Sequence, residues 1–138
     1  MNTTVIMVAF KSESLIFKNI ENFPNNIKII IIENSGNFDL KEKIESNYKN
    51  VKVILNENKG FGQAANLGAK CADTKYLLFC SPDNMIENNG INKLEEISKD
   101  LGDNYGLLVL SDINERQTFK EKVSKVTGIL CFFAIRNH

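Results

Sequence analysis

Three polar clusters in this chain each follow an apolar run, and their residue types suit the binding of a polar ligand. Ser81-Pro82-Asp83 comes directly after Tyr76–Cys80 and offers one carboxylate, a hard oxygen ligand. The same residues also read as a Pro-Asp-Asn turn. Glu33-Asn34-Ser35 follows the run Ile27–Ile32, and a carboxylate there can accept the N3 hydrogen of uracil or thymine. Asn34, Ser35, Gly36 and Asn37 are equally a turn or helix-capping cluster. Asn58-Lys59-Gly60-Phe61-Gly62 opens an Ala-rich stretch containing Asn66 and Gly68. Glycine there lets backbone approach a ligand, and a helix N-terminus behind it offers free amide donors to phosphates or sugar hydroxyls. Gly68 and the alanines also suit close helix–sheet packing. Asn66, a mediocre helix former, calls for a cap, a core hydrogen bond or a ligand. Only Gly60-Phe61-Gly62 fits a dinucleotide fingerprint, and no Gly-Lys-Ser/Thr follows. The single histidine is His138, the last residue, which removes Ser-His-Asp and zinc chemistry from consideration.

Elements that could carry these clusters alternate along the chain. Val5–Phe10 reads as a strand, and Lys11-Ser12-Glu13-Ser14 as the start of a helix burying Leu15, Ile16, Phe17 and Ile20. Phe23-Pro24-Asn25-Asn26 breaks it before the Ile27–Ile32 strand. A strand this apolar is covered on both faces, as in parallel sheets with helices on each side. Leu40–Tyr48 reads as a helix, Val51–Leu55 as a strand, and Phe61–Cys71 as a helix with Phe61, Ala64, Ala65, Gly68 and Ala69 on one side. Tyr76–Cys80 is the fourth strand. Ile91, Leu94, Ile97 and Leu101 mark another helix. Tyr105–Leu110 and Ser124–Ile135 are the last strands, around a polar hairpin-like stretch from Ser111 to Lys122. The expected fold is one doubly wound α/β domain over residues 1–138, with a mostly parallel sheet, helices on both faces and right-handed crossovers.

Bulk properties narrow the function. Seventeen basic and seventeen acidic residues cancel, so no clustered cationic surface is expected for nucleic acid or an anionic membrane. Cys71, Cys80 and Cys131 are odd in number and lie in apolar segments, as reduced core thiols would. Neither a signal-type N-terminus nor an apolar run of about 20 residues is present, which points to the cytoplasm, with attachment to a membrane's inner face needing a partner.

Taken in order, these motifs resemble the N-terminal half of a family 2 glycosyltransferase of the GT-A fold, of the rhamnosyltransferase-like branch. Val8-Ala9-Phe10-Lys11 is similar to the family's Val-Thr-Tyr-Asn opening, Glu33-Asn34-Ser35 to its Asp-Asn-Ser, and Ser81-Pro82-Asp83 to its Asn-Pro-Asp variant of Asp-x-Asp. Asn58-x-Gly60, with Asn66 and Gly68, keeps the family spacing, and Gly128 to Arg136 resembles its Gly-x5-Arg strand. The resemblance implies inverting transfer from a UDP- or dTDP-sugar to a glycan or lipid-linked acceptor in cell-surface polysaccharide synthesis. It implies a donor site of Ala9, Phe10, Glu13, Glu33, Asn34, Asn58, Gly60, Gly62, Asn66, Ser81 and Pro82. Glu33 would read the base, Lys11 would approach a phosphate, and Asp83 would hold Mg2+ or Mn2+. The family's acidic base segment would follow Arg136, where only Asn137 and His138 stand, so the resemblance extends to the donor half alone. A non-catalytic nucleotide-binding domain is the alternative. Apolar surface left without a C-terminal half implies a partner chain or self-association. A nucleotidyltransferase would carry glycine in a loop such as Ala9–Ser14, which has none.

Overall fold

The computed structural model describes residues 1–86, 89–101, 107–110 and 131–135. Its elements run β1 (Thr3–Ala9), α1 (Glu13–Asn22), β2 (Lys28–Glu33), α2 (Phe38–Asn47), β3 (Val51–Leu55), α3 (Phe61–Cys71), β4 (Tyr76–Cys80), α4 (Gly90–Leu101), β5 (Leu107–Leu110) and β6 (Cys131–Ile135). The sheet order is β3-β2-β1-β4-β6-β5. The first four strands pair in parallel, and β6 is antiparallel to both β4 and β5. This is the mostly parallel α/β sheet expected from the sequence. The stretch Ser111–Lys122, the residues of the last strands beyond β5 and β6, and Arg136 lie outside the described residues.

Burial on both faces explains the apolar runs. Alternate residues of β1 and β2 feed two cores. Val5, Met7, Ala9, Ile29 and Ile31 pack with Ile16 and Ile20 of α1, Leu40 and Ile44 of α2, and Ile91 and Leu94 of α4. Ile6, Ile30 and Ile32 pack on the opposite face with Ala64 of α3 and Ala72. The helix on this second face sits very close to the sheet: a methyl group at Gly68 would stand 2.5 Å from Ile6 Cγ2. The packing role open to Gly68 is therefore the one the fold uses.

The helices depart from the expected faces in physically instructive ways. Leu15 and Phe61 are exposed rather than buried, because each lies in the first turn of a helix that begins beyond the end of the preceding strand. In place of Leu15, the buried stripe of α1 contains Asn19, a polar residue with no exposure. In α4, Ser98 is buried while Ile97 and Leu101 are exposed. Helix α2 starts at Phe38, two residues before the expected Leu40, because Asn37 caps it by accepting from Leu40 N at 3.0 Å. Cys71 is exposed and Cys80 buried, so the core-thiol expectation fails for Cys71, which ends α3 on its outer side.

Candidate functional site

Parallel pairing places the carboxyl ends of four neighbouring strands on one edge, where open α/β sheets bind ligands. The segments leaving that edge are Phe10–Ser12 from β1, Asn34–Asn37 from β2, Asn56–Gly60 from β3 and Ser81–Ile86 from β4. Register aligns Ala9, Glu33 and Leu55 across the sheet. All the predicted site residues from Ala9 to Asp83 except Asn66 thus belong to this edge or to the first turn of a helix that starts there. Asn66 lies one turn further along α3, exposed, which removes a core hydrogen bond as its reason.

Glu33 closes β2 with 1% exposure. Its two oxygens accept from Ser35 N at 3.1 Å, Asn37 N at 2.8 Å and the Ser35 hydroxyl. Three donors from this turn, one of them shared between the two oxygens, engage a carboxylate that has roughly four acceptor positions. Its carboxylate thus helps to build the turn, the other role that the setting of Glu33 allowed. Asn34, 6% exposed, is fixed on both sides, its N–H donating to Ala9 O at 2.8 Å and its Oδ1 accepting from Asn56 Nδ2 at 2.9 Å. Asn56 also donates to Glu57 O at 2.8 Å and Gln63 Oε1 at 2.9 Å, joining β2, β3 and α3. Neither Asn56 nor Gln63 was marked from the sequence, although Asn56 begins the same loop.

The segment after β3 is built the other way. Asn58 to Gly62 are all exposed. Asn58 Oδ1 accepts from Gly60 N at 3.3 Å, and Gly60 sits at φ 93 and ψ 164, a conformation open essentially to glycine alone. Gly60 is the N-cap of α3 and supplies no capping side chain, so the first-turn amides of this helix face outward without one.

After β1, Phe10 is 48% exposed and Lys11 has φ 49. Asparagine tolerates this left-handed backbone well, which gives a physical reason for the asparagine that similar motifs carry there. The ammonium of Lys11 lies 5.3 Å from the Phe10 ring centre. Ser12 donates to Phe10 O at 2.8 Å rather than capping α1. Glu13 bonds outward to Lys43, with Nζ 3.0 Å from its carboxylate.

After β4, Ser81 N donates to Asn84 Oδ1 and Asn84 N to Ser81 O, each at 3.0 Å, closing a tight turn around buried Pro82 and exposed Asp83. Below this turn, Asn19 Nδ2 donates to Pro82 O at 3.0 Å and Asn84 O at 2.6 Å, and Asn22 Nδ2 to Ile86 O at 2.6 Å. Among the described residues no three His, Cys, Asp or Glu side chains gather as a protein-only metal cage would require. One exposed carboxylate on a fixed turn suits instead a hard cation shared with phosphate oxygens. Tyr48, whose hydroxyl is raised above the usual tyrosine range by burial and then by Glu21, lies at the opposite edge of the sheet, outside this site. Among the described residues no helix is long and apolar enough to cross a membrane.

Comparison with known proteins places this edge in context. The model of the family described as Glycosyl transferase family 2 matches residues 4–137. No curated protein matches the chain. Among solved structures, TarS 1-349 from S. aureus is 19% identical, with a TM-score of 0.66 over 86% of this chain and 38% of that one. Its complex with UDP-GlcNAc matches at 20% identity and the same TM-score, over 86% of this chain and 37% of that one. The mannosyltransferase PcManGT from Pyrobaculum calidifontis, solved with GDP-Man and Mn2+, is 15% identical, with a TM-score of 0.72 over 98% of this chain and 44% of that one. The chain thus spans less than half the length of the structures it resembles, and the likeness establishes a shared GT-A fold.

Proposed function

Because the chain belongs to glycosyl transferase family 2, we propose that its carboxyl edge binds a nucleoside-diphosphate sugar, UDP- or dTDP-linked, as the donor for transfer to a glycan or lipid-linked acceptor. The observation that carries this reading is the pairing of an open glycine loop after β3 with an exposed carboxylate after β4 on the same edge. Three strand spacings separate those ends, roughly 14 Å, a span suited to an elongated nucleotide lying across the strand termini. The base rests against Ala9, Phe10 and Asn34, with Glu33 holding the turn beneath it. Loop amides at Gly60 to Gly62, with Asn58 and Asn66, support the donor from the β3 side, and Lys11 approaches a phosphate. Asp83 would hold Mg2+ or Mn2+, and a cation there would supply charge stabilisation for the leaving nucleoside diphosphate. The complexes of TarS with UDP-GlcNAc and of PcManGT with GDP-Man and Mn2+ support such a donor. A dTDP-rhamnose donor and a cell-surface acceptor are the specific forms drawn from the motif resemblance.

A second reading, donor binding without transfer, is favoured by Ser81 standing where a second carboxylate would strengthen the cation's hold. Titration calorimetry with UDP, dTDP and GDP, with and without Mn2+, tests the site. Binding that Mn2+ strengthens, with that gain lost in Asp83→Ala, is the expected result. No binding of any nucleotide at millimolar concentration would sink both readings. Sugar transfer from the bound donor to an added acceptor separates them.

A further inference from the structure

One amide in α1 reaches the carbonyls on either side of Asp83. Asn19 Nδ2 donates to Pro82 O at 3.0 Å and to Asn84 O at 2.6 Å. The side chain has no exposure and sits between Ile16 and Ile20 on the face of α1 that packs against the sheet. Its orientation follows from its neighbours, since reversing the amide would press Oδ1 against two carbonyl oxygens. That orientation leaves Oδ1 buried without a hydrogen-bond partner among the described residues. The asparagine thus keeps one buried acceptor without a donor, an unfavourable feature, while donating to both carbonyls that flank Asp83, so its two donated bonds serve the placement of the turn.

From this we infer that Asn19 is a positioning residue for Asp83: by holding the carbonyls of both its neighbours, it fixes where the carboxylate stands above the sheet edge. The inference rests on the donor-site reading above. The turn's own bonds, Ser81 N to Asn84 Oδ1 and Asn84 N to Ser81 O, close the loop but do not tie it to the rest of the fold. Asn22, three residues on, ties Ile86 in the same manner but beyond the carboxylate, which makes it an internal control.

Asn19→Leu removes both donors while keeping the number and branching of the side-chain heavy atoms. Two measurements on the full chain decide the matter, Mn2+-dependent UDP binding by calorimetry and backbone amide exchange at Ser81 and Asn84. The Mn2+ concentration for half-maximal UDP binding should rise about tenfold, the effect of losing two ordinary hydrogen bonds that order a ligand group. UDP affinity without Mn2+ should stay within about twofold. Exchange at Ser81 and Asn84 should quicken about tenfold while β4 amides keep their protection. Asn22→Ala should leave the Mn2+ midpoint unchanged. If Asn19→Leu does not fold, Asn19→Ala carries the same readouts. An unchanged Mn2+ midpoint overturns the inference even where exchange quickens, because Asn19 would then be a structural tie only. Equal loss of metal-free and metal-dependent binding overturns it as well. A wild-type chain that binds UDP with no response to Mn2+ overturns the metal role of Asp83 itself, and this inference with it.

Discussion

Strands β2 and β3 lie side by side and run in the same direction, yet the segments leaving their carboxyl ends use hydrogen bonds in opposite ways. After β2, a buried carboxylate gathers the donors of its own turn, and Asn34 is held from both neighbouring strands. After β3, a glycine at φ 93 presents an exposed loop and an N-terminal helical turn with no side-chain cap. The difference separates frame from working surface: the first segment gains rigidity from satisfying itself, and the second leaves backbone donors for a ligand.

Substitutions can break this contrast, and the largest effect should fall on the frame. Glu33→Ala strands the donors at Ser35 and Asn37 and leaves a cavity, so a loss of about 3 kcal/mol is expected in urea unfolding. A loss below about 1 kcal/mol would mean the turn is held by something else. Gly68→Val tests the close face of the sheet, where Ile6 is fully buried and cannot yield, and should cost about 2 kcal/mol. Gly60→Ala forces a side chain into a glycine conformation with open space around it, so strain alone should cost about 1.5 kcal/mol. Nucleotide affinity should fall further in that variant than in Gly68→Val, since Gly60 belongs to the working surface. Smallest on stability is Asp83→Ala, within about 0.5 kcal/mol because the side chain is exposed. A larger loss there would move Asp83 from working surface to frame.

The frame was the more legible of the two in sequence. Unbroken isoleucine in β2 announced burial on both faces, and the first four strands begin and end within two residues of their expected places. Side-chain allegiance was harder to read. Glu33 followed by turn formers is compatible with ligand recognition and with self-satisfaction, and only the folded turn shows that residues two and four positions on supply its donors. Asn19 carried a signal, since 16, 19, 20 and 23 recur at helical spacing on a buried face. In a helix rich in polar residues that signal does not stand out, because the partners of Asn19 lie more than sixty positions away.

The central position of β1 has a consequence for how such a chain is made. Thr4 to Ala9 pair along one edge with β2, but the other edge waits for β4, with Thr3 meeting Tyr76. A nascent chain that has not yet extended past Cys80 can assemble β1, β2 and β3 while leaving one side of β1 unpaired, a row of backbone donors and acceptors open to any other extended peptide. The closing of that edge and the delivery of Asp83 to its place are one event during synthesis, so whatever delays the fourth strand exposes the protein to aggregation for the same interval in which it has no site.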